Sequence, residues 1–180
     1  MKPFLSLLLS TIALWPTQTI SQATAPQFNI TALTTVNNAS RLECWTLPST
    51  PQFAAGATSY EIGNFSNSFI GILPARTYSN ATITHPRQVQ FTIALSGLIH
   101  IRTPTSGLPE TYNEAWVHGG KYGFLIAADT VESGSVQGHE TEFPSDQPTW
   151  LAEFPTVGGL VPEHILLHVG PCGLGDLIGV

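Results

Sequence analysis

Charge is scarce in this chain. Only 10% of its 180 residues are charged, and 6 Lys and Arg stand against 12 Asp and Glu, for a formal net charge of −6. No basic stripe exists to meet a phosphate backbone, which argues against nucleic acid as a partner. Long apolar runs are missing too. The run from Phe4 to Trp15 falls short of the roughly 20 residues a membrane span needs, and no other segment approaches it. No internal repeat and no convincing amphipathic helix is present, and prolines recur from Pro74 to Pro162 too closely for long helices. Familiar catalytic motifs are also lacking. Gly119-Gly-Lys-Tyr-Gly123 is not a phosphate-binding loop, because no Ser or Thr follows its lysine. Ser96 has no nucleophile elbow around it. His164 and His168 stand four apart without the intervening glutamate of a zinc-protease helix.

What is present points first to a compartment. Lys2, the apolar stretch after it and the small-residue site Ser21-Gln22-Ala23 have the layout of a secretory signal peptide over residues 1–23. Four N-glycosylation sequons follow, at Asn29, Asn38, Asn64 and Asn80, all in the N-terminal half. Secretion outside the cell is therefore expected. Residues 24–180 make up about one domain, large enough to bury a core without metal or many disulfides. The two cysteines, Cys44 and Cys172, are expected to pair in an oxidising compartment. A bridge across so long a loop is worth about 4–5 kcal/mol in the chain-entropy model.

The pattern is that of β structure. Val89, Phe91, Ile93 and Leu95 alternate with Gln90, Thr92, Ala94 and Ser96, which puts the two sets on opposite faces of a strand. Gly97 supplies a turn, and Leu98–Arg102 resumes as a second strand, so a hairpin is expected. Tyr122–Ala128 reads as a strand buried on both faces, and Thr149–Phe154 as a further strand. Short strands with turns between them predict an all-β sandwich or barrel.

The segment from His85 through Gly97, Gly123–Thr130 and Gly138-His139 resembles the core of a cupin. The resemblance covers residues 71–155 and implies a single cupin-like (RmlC-like) β-barrel, a jelly roll with a cavity. Anchored on Gly97, it places Gln90 at the motif's glutamate position, His85 at its second histidine and Ile83 at its first. His139 takes the place of the last ligand histidine, in the second motif. With the signal peptide and the C-terminal cysteine, the chain also resembles small secreted cupin-like proteins of filamentous fungi. Cupin relatives often dimerise, so a homodimer is a further expectation.

Two readings of these residues stay open. His85, Gln90 and His139 could hold a divalent metal loosely, although a neutral amide gives the ion no charge compensation. Alternatively the histidines are polar groups in a cavity, free to bond a ligand or move protons near neutral pH. The ligand-binding set is then His85, Gln90, Thr92, His100 and His139, with His100 entering if its strand curls inward. Asp129 either orients a histidine or serves as a general acid or base, so that His85, His139 and Asp129 form the catalytic set, or is a turn residue bonding its own backbone. Trp45, Trp116 and Trp150, with Phe91 and Phe124, offer either an aromatic cavity wall or an ordinary core. The leading expectation is a secreted cupin binding a small organic metabolite, with non-redox isomerase, cyclase or lyase action by a pocket histidine. The rivals are a metal-dependent oxygenase or oxidase, and a non-enzymatic effector or surface protein.

Overall fold

Two asparagines start the architecture. Strands β1 (Phe28–Val36) and β2 (Ala39–Leu47) pair antiparallel across Asn37-Asn38, whose φ angles are 51° and 63°. Positive φ at both central residues is the two-residue turn that suits the twist of a hairpin, and asparagine tolerates it. The computed structural model describes residues 27–78 and 84–177, so the expected leader (1–23), Asn80 and Ile83 lie outside the described residues.

A small exposed hairpin follows, β3 (Gln52–Ala54) with β4 (Ala57–Ser59). Eight strands are then shared between two sheets: β5 (Phe69–Leu73), β6 (Thr77–Tyr78), β7 (Gln90–Ser96), β8 (Leu98–Arg102), β9 (Glu114–His118), β10 (Phe124–Ala127), β11 (Glu140–Phe143) and β12 (Thr149–Pro155). One sheet runs β5-β12-β7-β10 and the other β6-β11-β8-β9. Every step along the chain crosses from one sheet to the other except β8 to β9, which are neighbours in the four-stranded sheet, the winding of an eight-stranded jelly roll. The chain is all-β with this jelly roll at its centre, as the sequence led us to expect.

The hairpin expected at Gly97 does not form. Strand β7 pairs with β10 and β12, whereas β8 pairs with β9 and β11. Gly97 instead turns the corner between the sheets. Its φ is +81°, and a Cβ there would lie 2.3 Å from Thr149 Oγ1. Only glycine lets the backbone turn so close to β12.

The N-terminal hairpin widens the first sheet: β1 lies parallel beside β10, and β13 (Ile165–Val169) flanks β2. The Cys44–Cys172 disulfide joins β2 to the segment after β13, across 128 residues of sequence. The seven-stranded sheet has a core on each face. Inward, Leu33, Leu125 and Leu151 meet Ile99 and Ile101 of the four-stranded sheet. Outward, Ile30, Trp45, Phe91 and Ile126 pack with Phe65, Phe124 and Phe154. No helix among the described residues is long and apolar enough to cross a membrane.

Candidate functional site

Between the two sheets lies a cavity of about 280 Å³. Strand alternation decides what lines it. On β7 the inward set is Gln90 and Thr92, while Phe91 points to the outer core. On β12 Glu153 pairs with Thr92 and faces inward with Leu151. On β8 Ile99 and Ile101 face inward.

His85 and His139 reach this cavity together because of one short bridge. Thr84 N–H donates to the His139 carbonyl at 2.9 Å, and His139 N–H donates to the Thr84 carbonyl at 3.1 Å. Gly138 makes the approach feasible: its φ is +71°, and a Cβ would sit 2.3 Å from the Thr84 oxygen. The bridge joins the chain entering β7 to the chain entering β11.

Behind the histidines runs a buried hydrogen-bonded chain. His139 Nδ1 donates to Asp129 Oδ2 at 2.7 Å. Ser40 Oγ donates to the same oxygen at 2.5 Å and contacts Ser135 Oγ at 2.8 Å. The Ser135 carbonyl accepts from His85 Nε2 at 3.0 Å. Asp129 is completely buried, and its Oδ1 has no partner among the described residues. A carboxylate only accepts, so the Nδ1–H tautomer of His139 is selected and Nε2 is left as the ring's basic nitrogen. Asp129 is thus bonded to His139 and Ser40 rather than to its own backbone.

Glu153 adds a second carboxyl to the wall. Burial pushes it above the ordinary carboxylate range, and a side-chain hydrogen bond with Gln90 offsets part of that rise. The register explains the bond: Gln90 stands opposite Pro155, two residues from Glu153 along β12.

His100 corrects the expectation that it enters the cavity. Its neighbours Ile99 and Ile101 take the inward positions, so period two sends it to the outer face of the four-stranded sheet. There it stacks on Trp116 with ring centroids 3.8 Å apart. Its Nε2 lies 2.7 Å from Glu114 and its Nδ1 3.1 Å from Glu142. The aromatic wall is corrected likewise. Trp45, Phe91 and Phe124 belong to the outer core, and Trp116 and Trp150 are exposed. Phe143 is the cavity's aromatic residue.

The metal reading fits the residues poorly. Gln90 is engaged with Glu153, and His85 Nε2 with Ser135. Among the described residues, His, Cys, Asp and Glu ligand atoms converge in a group of three only at Cys44, His168 and Asp176, and that sulfur is in the disulfide.

Sequence reasoning missed Ser40, Ser135 and Glu153. Ser40 carries no signal, since it joins Asp129 from 89 residues away, and Ser135 lies in the loop just before His139, where a serine is an ordinary turn residue. Glu153 could have been found, because alternation in Thr149–Phe154 puts it on one face with Leu151. Of the sequons, Asn38 and Asn64 are exposed. Asn29 is not free: its Nδ2 donates to the Asp176 carbonyl at 2.6 Å, and its Oδ1 accepts from Thr46. A glycan on that nitrogen would break the arrangement.

Fold and site together define a jelly-roll protein with an internal cavity and an Asp–His pair on its wall. No protein-family model matches the chain, and no curated protein matches it. Among solved structures, dTDP-6-deoxy-D-glucose-3,5-epimerase RmlC from Legionella pneumophila Philadelphia 1, in complex with dTDP-4-keto-L-rhamnose, is similar at 10% identity over 70% of this chain and 69% of that one. The TM-score is 0.22, too low to carry an argument. The fold assignment rests on the strand order.

Proposed function

We propose that the protein binds a small organic molecule in the jelly-roll cavity and moves a proton on it with His139, as a non-redox isomerase, cyclase or lyase would. The observation that carries this reading is the Asp129–His139 hydrogen bond, buried behind a cavity wall. His139 Nε2 takes a proton from an acidic C–H or O–H of the bound molecule. The resulting imidazolium is steadied by the Asp129 carboxylate, and Nε2 returns the proton at another carbon or oxygen. Thr92 and Gln90 can hydrogen-bond the oxygen on which charge develops. The apolar wall holds the molecule in a reactive pose.

The test is deuterium exchange. A panel of small cyclic ketones in deuterated buffer is incubated with the wild type and with His139→Gln, and label uptake is read by mass spectrometry. Wild-type exchange falling about 10²–10⁴-fold in His139→Gln is the expected result. Equal exchange in both would sink the reading.

The secretory route belongs to the same proposal, supported by the disulfide and by the exposed Asn38 and Asn64. Expression in a eukaryotic secretion host should give a protein that loses mass on endoglycosidase treatment, and a mass unchanged by treatment would contradict it. A second reading, a surface-acting protein, draws on exposed apolar side chains at both sheet edges: Phe69, Ile70 and Ile72 on β5, and Ile165, Leu166 and Leu167 on β13. It predicts that filling the cavity leaves partner binding unchanged.

A further inference from the structure

The cavity has a pronounced charge character. Of the six Lys and Arg residues, Lys2 lies outside the described residues and none of the other five lines the cavity. Arg41 pairs with Glu43, and Arg76 with Asp146. Arg102 pairs with Glu140 and Glu142 on the outer face of the four-stranded sheet. Lys121 lies near the ring of Tyr122, by a separate pocket. Arg87 comes nearest, in an adjoining pocket of about 510 Å³. Pro86, Gln90 and Glu153 line both chambers. The cavity's own acidic lining residue is Glu153, and no lysine or arginine faces it from within; its basic groups are the imidazoles of His85 and His139.

We infer that the cavity takes an uncharged, chiefly apolar molecule bearing one hydroxyl or carbonyl, a phenol or cyclic ketone rather than a phosphate ester, and that Glu153 sets this preference. The inference rests on the reading that the cavity is the working site. A volume of about 280 Å³ holds roughly a dozen non-hydrogen atoms, taking about 20–30 Å³ for each. Leu33, Ile99, Ile101, Leu125 and Leu151 give most of such a molecule an apolar bed. An anion would lose its hydration there without meeting a lysine or arginine. It would also meet a carboxyl whose own charge burial already disfavours. A hydroxyl, by contrast, can donate to Glu153, and a carbonyl can accept from the Gln90 amide. A lysine or arginine partner for an anionic group is found only in the adjoining chamber, where Arg87 lies.

The experiment is calorimetric titration of the full secreted protein with three probes of matched shape: 4-propylphenol, 4-propylbenzoate and 4-propylphenyl phosphate. The phenol should bind at least about tenfold more tightly than the benzoate at neutral pH, and the phosphate more weakly still. Glu153→Gln keeps the hydrogen bonding and removes the charge, so it should narrow the phenol–benzoate ratio to within about threefold. Ala127→Leu and the bulkier Ala127→Phe locate the binding, with near-ultraviolet circular dichroism confirming that each folds. Loss of phenol binding in the folded variants supports the inference. Phenol lost on filling but benzoate or phosphate bound as tightly overturns the proposed class and leaves the cavity reading standing. An unchanged ratio in Glu153→Gln overturns the role of that residue. Phenol binding that survives both fillings, or no binding of any probe to folded wild type, overturns the cavity reading and this inference with it.

Discussion

On its outward face the seven-stranded sheet buries Ile30, Trp45, Phe91 and Ile126 completely. On its inward face the same strands turn Gln90, Thr92 and Glu153 towards a cavity. The outer side is packed ring against ring: Phe65 meets Phe91 edge-on at 5.5 Å, and Phe28 meets Phe124 edge-on at 5.4 Å. The inner side leaves space and places polar groups beside it. Aromatic packing is therefore concentrated on one face and the proposed chemistry on the other, with β7 supplying residues to both through its period of two. A cavity left in an interior forgoes packing contacts, and the outer aromatic core is where this sheet makes the most of them.

The largest effect should come from breaking the outer face. Phe91→Ala removes a fully buried ring from contact with Phe65 and Phe124 and should cost about 3–5 kcal/mol, read by urea unfolding. Thr92→Ala, one residue along and inward, should cost under about 1 kcal/mol, because its side chain already borders open space. Equal costs at the two positions would erase the proposed division.

The inner face has one position where stability and chemistry coincide. Asp129 Oδ2 accepts from both Ser40 and His139. Asp129→Asn keeps the shape, but an amide cannot offer the same charged acceptor to two donors. It should lose about 1–3 kcal/mol by urea unfolding and slow the proposed proton transfer, since the His139 tautomer is no longer enforced. Stability unchanged from wild type would show that the carboxylate is not held as the geometry indicates.

How much of this division can be read in the sequence depends on the range of the interaction. The alternation of β7 by itself separates Phe91 from Gln90 and Thr92, and the Gly-His pair at 138–139 marks the second wall. Pairing partners are a different matter. Periodicity predicts a strand on each side of Gly97 but not that they join different sheets, because a hairpin and an inter-sheet corner share the same local pattern. His100 shows the same limit: which face it takes depends on the register that sends Ile99 and Ile101 inward, and a shift by one residue reverses it. Ser40 and Ser135 enter through contacts made only after β2 and the loop before β11 are brought together. The cysteine pairing was legible, since the chain has two cysteines and the compartment supplied the rest of the argument.

Glu153 sharpens the comparison by pH. Its folded pKa is raised, so in the window between the unfolded and folded values the native state binds more protons than the unfolded chain. The associated stability is fully present below the ordinary glutamate range and is lost as pH rises through the folded pKa. Glu153→Gln should remove this dependence, leaving the variant relatively more stable at about pH 8 than at about pH 3.5, by well under 1 kcal/mol after solvent screening of a half-buried group. A pH–stability difference curve of the opposite slope would mean that the carboxyl is stabilised as an ion and that the inner wall is not the low-polarity environment described.

The smallest effect belongs to a carboxylate outside both faces. His168, on β13, places Nε2 3.1 Å from Asp176 Oδ2. Desolvation acts to lower the His168 pKa, but the Val169 carbonyl and Asp176 outweigh it, and the result is a raised value. Asp176 is lowered, chiefly by its hydrogen bond with His168, against some desolvation and with help from Gly173 N–H. The signs differ from those of Glu153. The histidine contributes stability below its unfolded pKa that is lost as pH rises through its folded one. The aspartate contributes stability above its unfolded pKa that is lost as pH falls through its folded one. The pair therefore acts in the window between, about pH 5 to 6, and fades towards about pH 9 and about pH 2. Both side chains are well exposed, so His168→Gln should cost only a few tenths of a kcal/mol at about pH 5.5 and nothing measurable at about pH 9. Thermal unfolding of the two proteins at both pH values checks this. A cost as large as that of Asp129→Asn would place His168 and the nearby disulfide in a third cooperative core, and the contrast between the two faces would no longer account for the stability of the sheet.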